Sequence, residues 1–303
     1  MMNAKARAMV LASFAGDALS LGVHWIYNTN VIDKKWGKVE NYIKPERPTY
    51  HPTKDLGDFT HYGDQTLILL QSITESSGYS LTHFAKSWQD FFDSFDGYFD
   101  RATKDTLDNL SSGKDITEAG SGSDELAGAA RIAPLVYRYC QDEDQLIETV
   151  RSQTAFTHDN PQVIDGAEFF ARVTVRVLQG AAPVAAINRV VQDGFSREPF
   201  GKWVNDGLDS MDKDTRQAML DFGQMCEMYA ALPGVIHLIG KYENNLRQAL
   251  IENAMAGGDS AARGLVAGMI LGAHLGREAI PRRWLTEMKA YERIVEYIDK
   301  MGD

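Results

Sequence analysis

The 303 residues carry a formal net charge of −11, with 44% hydrophobic and 24% charged side chains. This composition is close to the globular average and excludes general disorder, and the length buries enough surface to need neither disulfide nor metal staple. The acidic balance opposes sequence-independent binding to nucleic acid, which needs a basic face, but leaves room for small anions at helix N-termini.

In chain order, Lys5 and Arg7 precede an apolar run over residues 8–15. Asp17 follows at once with no clear cleavage site, so this run reads as a helix of the folded protein and not as a secretory leader. Gly16-Asp17-Ala18-Leu19 is expected to interrupt that helix. Residues 29–59, holding Pro45, Pro48 and Pro52, read as a long loop over a surface. A polar turn over residues 57–66 then leads into the apolar run 67–70. Ser80 is a credible N-cap ahead of Phe84, Trp88, Phe91, Phe92 and Phe95, one stripe of an amphipathic helix.

Asn160 and Pro161 place a cap and an N1 proline in their preferred positions, opening a helix that closes at Gly180. The β-branched run 173–177 lies inside that register. Another helix begins near Asn245 and stops at Gly257-Gly258. Beyond it Gly264, Gly268, Gly272 and Gly276 recur every fourth residue, each costing about 1 kcal/mol of propensity relative to alanine. Such a stripe fits a central helix approached closely by another backbone. The closing segment places Trp284, Met288, Tyr291, Val295 and Ile298 on one face of a last outer helix. With no βαβ alternation, repeat or interdomain linker, the expectation is one all-α, compact multi-helix domain over residues 1–303.

Cys140 and Cys226 are the only cysteines, which suits a reducing compartment. The glycine-rich apolar run 264–276 is too short to span a bilayer. A cytoplasmic protein that engages neither membrane nor nucleic acid is expected, and its oligomeric state is left open.

Three Gly-Asp pairings stand at apolar helices: Gly16-Asp17, Gly63-Asp64 and Gly258-Asp259. A carboxylate at a helix start can simply cap free N–H groups. The functional cleft is nonetheless expected where the turns carrying Asp17, Asp64 and Asp259 meet, and carboxylates converging there would need a shared cation or intervening donors.

These segments carry a resemblance. Gly16-Asp17-Ala18-Leu19 resembles the opening Gly-Asp-Ala-Leu-Gly motif of the ADP-ribosylglycohydrolase family, which includes dinitrogenase-reductase-activating glycohydrolase and the J1 crystallins. Tyr62-Gly63-Asp64-Gln65-Thr66 stands at its Thr-Asp-Asp-Thr turn, and Gly97-Tyr98 with Asn109-Leu110 is similar to the segment after its aromatic helix. The run from Ala129 through Arg131-Ile132-Ala133-Pro134 to Leu135 is similar to its Met-Arg-Ile-Ala-Pro-Leu signature. Thr157-His158 begins the matching Thr-His helix, and Gly257-Gly258-Asp259 begins the second metal turn.

The resemblance implies an all-α bundle whose cleft holds two Mg²⁺ ions against the ribose of ADP-ribose, because Mg²⁺ prefers hard oxygen ligands and can orient a diol and activate water. Here the first metal turn reads Gly63-Asp64-Gln65 and the second Asp259-Ser260-Ala261-Ala262. His24 stands at the place of a glutamate, and Glu125-Leu126-Ala127 at the place of a Gly-Asn-Gly loop. The expected metal set is therefore Asp64, Gln65 and Asp259, holding at most one weakly bound Mg²⁺ or none. The expected catalytic residues are His24 and Asp64. Asp17, Ser123, Asp124, His158 and Arg263 are expected to bind substrate, with Arg263 pairing Asp64 or Asp259 or holding a phosphate. Asp124 and Glu125 either resupply charge to the cleft or open the next helix. His158 is open to a second reading as a helix-start histidine.

The function expected is hydrolysis of an N- or O-glycosidic bond of an ADP-ribosyl or related ribosyl substrate. The alternatives are a ligand-binding protein without turnover and a crystallin-like structural protein.

Overall fold

The computed structural model describes residues 2–302; among them there is no strand, only isolated bridges between Ser121 and His158 and between Glu125 and Glu227. The helices are α1 (Met2–Ser20), α2 (Thr29–Trp36), α3 (His61–Glu75), α4 (Leu81–Asp93), α5 (Arg101–Ser111), α6 (Ala127–Ala130), α7 (Ala133–Tyr139) and α8 (Glu143–Thr157). They continue with α9 (Pro161–Leu178), α10 (Pro183–Val190), α11 (Phe200–Asp209), α12 (Thr215–Phe222), α13 (Met228–Lys241), α14 (Leu246–Met255), α15 (Ser260–Leu275), α16 (Arg282–Glu287) and α17 (Tyr291–Gly302). Side-chain caps fix many of the starts: Thr60, Ser80, Asp100, Asp142, Asn160 and Asn245 each accept a backbone N–H from the first turn that follows.

Helices α1 and α15 cross at the centre. A Cβ on Gly264 would lie 2.6 Å from Gly16 O, on Gly268 2.2 Å from Ala12 O, and on Gly272 2.6 Å from Ala12 Cβ. The glycine stripe therefore allows backbone-to-backbone contact, as its spacing predicts. Gly276 differs from the other three: it ends α15 at φ 78°. Residues 2–23 are long and apolar enough to cross a membrane, and here this stretch is the buried axis of the bundle.

Four local expectations are corrected. Helix α1 is not interrupted at Gly16-Asp17 but runs on to Ser20, because Gly16 packs on Gly264 while staying helical. The supposed loop over 29–59 begins with α2, capped by Asn28 and anchored through buried Ile32. The closing segment is two helices, because Met288 adopts an extended conformation and Lys289 N donates to Gly57 O at 3.0 Å. Thr157-His158 ends α8 instead of starting a helix, with His158 as its C-cap.

Candidate active site

Two loops are stitched together beside the start of α15. Trp25 N donates to Gly258 O (2.9 Å), Gly258 N to Ile26 O (3.0 Å), and Asp259 N to Gln224 O (2.9 Å). Gly257 and Gly258 hold φ of 66° and 63°, and a Cβ on either would strike a neighbouring carbonyl oxygen at 2.1–2.2 Å. Trp25 also takes a positive φ, 62°, rare for a bulky side chain and a mark of local strain.

This stitching sets Asp259 beside His24. The carboxylate is fully buried, neither of its oxygens has a hydrogen-bond partner, and Oδ1 lies 3.7 Å from His24 Nδ1. Burial raises its pKa to about 6, against the pull of Arg263 and His61. His24 stacks on Trp25 (4.3 Å between centroids) and on His51 (5.4 Å), and His51 on His61 (5.5 Å). All three imidazoles are buried, and His24 Nδ1 and Nε2, His51 Nε2 and His61 Nδ1 have no hydrogen-bond partner. His61 Nε2 lies 3.2 Å from Asp100 Oδ2, close for an ion pair but poorly angled for a hydrogen bond. Burial, with His51, His61 and Arg263, holds His24 well below its ordinary value, and burial holds His51 down at about 2. Trp25, Tyr50 and Tyr98 meet edge to face with centroids 5.0–5.3 Å apart, and Tyr50 leads out to solvent at 54% exposure.

A second group of acids lies across Tyr62. Leu126 N donates to Cys226 O (2.8 Å) and Met228 N to Asp124 O (2.9 Å), pairing Glu125 with Glu227 in an antiparallel bridge. Each has a buried Oε2 without a hydrogen-bond partner. Burial, then Asp100 and Asp259, lifts Glu125 to about 8, so it keeps its proton at neutrality. Arg101, Asp105, Ser121, Ser123, Asp124 and the two glutamates line a cleft of about 330 Å³.

The predicted residues are distributed unequally. Ser123 and Asp124 line this cleft, as a substrate-binding role requires. Asp17 does not: it is fully buried in the last turn of α1, and its carboxylate accepts from Thr60 N (2.8 Å) and Thr60 Oγ1 (2.6 Å), bracing the cap of α3. Asp64 is paired with Lys54 Nζ at 2.5 Å and opens on another cavity, bounded by Gly57, Phe59, Lys289 and Arg293. Gln65 is a core clamp: its Oε1 accepts from Trp88 Nε1 (2.8 Å) and from Arg131, which leaves it unsuited to a metal. His158 is buried behind Gly128 and meets Thr157 Oγ1 at 3.0 Å through Nδ1, while its Nε2 has no hydrogen-bond partner. Arg263, fully buried, donates to Asn253 Oδ1 (3.1 Å) and Gly257 O; it forms no ion pair with Asp64 or Asp259 and braces the second turn. His24 is enclosed, and its lowered pKa keeps the ring uncharged at neutrality, so it stands there as a base or ligand and not as an imidazolium.

The sequence reading missed His51, which lies in the proline-containing segment with no neighbouring pattern, and Lys54, three residues further on. Glu227 was missed too, and only the bridge to Glu125 reveals it.

Comparison with known families addresses the whole chain. The ADP-ribosylglycohydrolase family model matches residues 2–303. The chain belongs to the ADP-ribosylglycohydrolase family. Crystallin J1A of Tripedalia cystophora is 24% identical over 98% of this chain and 96% of its own length. An uncharacterized protein of Archaeoglobus fulgidus is 26% identical over 99% and 96%. A solved structure described as an ADP-ribosylglycohydrolase-related protein complex superposes with a TM-score of 0.79 over 99% of this chain and 97% of that one, at 19% identity, and so shares the fold.

Membership raises the two-Mg²⁺ centre as a question about donors. Mg²⁺ wants several hard oxygens in octahedral array. Here Lys54 already neutralises Asp64, Gln65 Oε1 is occupied, and Ala261 and Ala262 offer nothing, so Asp259 is the one unpartnered carboxylate of the two turns. The residues present do not fit that centre.

Proposed function

We propose that this protein is a glycosidic-bond hydrolase acting on an ADP-ribosyl or related ribosyl group. The observation that carries the reading is the proton-bearing Glu125 beside Glu227 at an open cleft, in a chain of this family. Two carboxyl groups held in different environments are the usual equipment for breaking a glycosidic bond. Glu125 protonates the departing nitrogen or oxygen as its bond to the ribosyl C1 breaks, and Glu227 takes a proton from the incoming water. Ser123 and Asp124 bind the sugar hydroxyls, and the exposed aromatic edge of Tyr50 offers a stacking surface for a base. The acid-lined cleft favours a cationic leaving group over the diphosphate, which is then directed outward.

The test is release of the ribosyl product from a panel of N- and O-linked ADP-ribosyl compounds, followed chromatographically. Glu125→Gln is expected to lower kcat by about a hundredfold or more while the protein stays folded. In the parent protein kcat should fall as pH rises through about 8, where Glu125 loses its proton. The sign for stability is the same: a carboxyl whose folded pKa is raised makes the fold lose stability as pH climbs from the ordinary carboxylate range toward that value, and Glu125→Gln should flatten this slope. Binding of ADP-ribose without turnover of any compound would replace this reading by a ligand-binding one, and neither binding nor turnover by a structural one.

A further inference from the structure

His24, His51 and His61 come from three separate segments: the turn after α1, the irregular stretch before α3, and the first residue of α3. One ring nitrogen from each can be chosen so that all lie within 4.8 Å of one another, and the three side chains are buried. Buried polar atoms are normally hydrogen-bonded, and each left unpaired costs about 1–3 kcal/mol. Here five nitrogens of the three rings have no hydrogen-bond partner, at least one on every ring, and neither has either oxygen of Asp259 beside His24. Simple packing does not account for three unsatisfied imidazoles brought together in this way, whereas one cation would take a lone pair from each of them.

We propose that His24, His51 and His61, with Asp259 beside them, form a mononuclear site for a borderline transition ion of the Zn²⁺ type. The site replaces the two-Mg²⁺ centre that the donors of this chain do not fit.

Imidazole nitrogen is a favoured ligand for Zn²⁺, Co²⁺ and Ni²⁺ and a poor one for Mg²⁺, which takes oxygen. Three histidines plus one oxygen is a common zinc donor set. Two nitrogens on one tetrahedral Zn²⁺ stand about 3.4 Å apart, given bonds of about 2.1 Å, so a pair at the 4.8 Å limit would close by somewhat more than an ångström through side-chain rotation. Asp100 Oδ2 stands 3.2 Å from His61 Nε2, poorly angled for a hydrogen bond but near enough that a small turn of the ring would make it the outer carboxylate of a ligating histidine. Asp259 Oδ1, 3.7 Å from His24 Nδ1, is placed either as the fourth ligand or as the equivalent orienting group for His24. Stacking on Trp25 and the strained φ of that residue hold His24 in place.

The proposal rests on reading this region as the working centre of the molecule, and its test is separate from turnover. Full-length protein stripped with a strong chelator is titrated with Co²⁺ and, independently, with Zn²⁺ by calorimetry. One Co²⁺ per chain, giving the visible ligand-field bands of a low-coordinate nitrogen site and displaced by Zn²⁺ but not by excess Mg²⁺, is expected. His51→Gln should weaken Zn²⁺ binding by about a hundredfold or more, since a lost ligand matters at least as much as an outer partner. Its circular dichroism and metal-free Tm should match the parent, and His83→Gln, a histidine outside the cluster, should leave binding unchanged. Absence of stoichiometric Zn²⁺ binding, or binding that His51→Gln leaves intact, would overturn the site. Tight Zn²⁺ binding with no hydrolysis of any ribosyl compound keeps the site and removes the hydrolase reading. Chelator-insensitive hydrolysis without Zn²⁺ binding does the reverse.

Discussion

The corner around Asp17, Asp64 and Gln65 and the corner around His24, Asp259 and Glu125 are made of the same kinds of side chain, yet their atoms are partnered in opposite ways. In the first, Asp17 bonds twice to Thr60, Asp64 pairs with Lys54, and Gln65 accepts from both Trp88 and Arg131. In the second, the carboxyl oxygens of Asp259, Oε2 of Glu125 and both ring nitrogens of His24 have no hydrogen-bond partner. Burial alone therefore does not distinguish a brace from a site; satisfaction does. A fold that leaves several polar groups unpaired in one place forgoes stability that an arriving ligand or ion can restore. Of the two turns that resemble the metal turns of the family, the one at Asp64 and Gln65 is partnered, and the one at Asp259 leaves its carboxylate unpartnered.

The largest test of that contrast falls in the partnered corner. Gln65→Ala removes the acceptor of buried Arg131 and of Trp88 Nε1 and should cost about 3 kcal/mol, because a buried guanidinium left short of partners bears its desolvation uncompensated. Urea unfolding measures this directly, and a loss below about 1 kcal/mol would break the comparison. Lys54→Met should cost less, about 1–2 kcal/mol near neutrality, since the pair with Asp64 lies near the surface. Burial already raises the Asp64 pKa and Lys54 opposes it, so the variant raises it further. Its deficit should grow as pH rises above the ordinary carboxylate range and vanish below it, where Asp64 is protonated in both folded and unfolded chains. The smallest effect belongs to the unpartnered corner. His24→Leu, in metal-free protein, removes no hydrogen bond and should change stability by less than about 1 kcal/mol, in either direction. A large loss there would show that the imidazole is a brace after all.

Much of the fold was legible along the chain. Ser80, Asn160 and Asn245 announced their helices because a cap is a local hydrogen bond between residues two or three apart. The stripe of Gly264, Gly268 and Gly272 announced a close helix crossing because only a missing Cβ admits another backbone at that distance. The motifs at residues 16–19, 62–66, 129–135 and 257–259, taken in order, were enough to name the family. What remained hidden depended on contacts between residues far apart in sequence. Whether Asp64 met a cation or Lys54 turned on how the irregular stretch before α3 folds back, and that stretch has no periodicity to read. Arg263 turned toward Asn253 and Gly257 O instead of a carboxylate because the positive-φ glycines bend the turn over it. His51 gained its significance only when the stitched loops carried His24 to its ring face. Local sequence determines which groups are present and which helices carry them; which of their lone pairs are left unsatisfied is decided by the packing of distant segments.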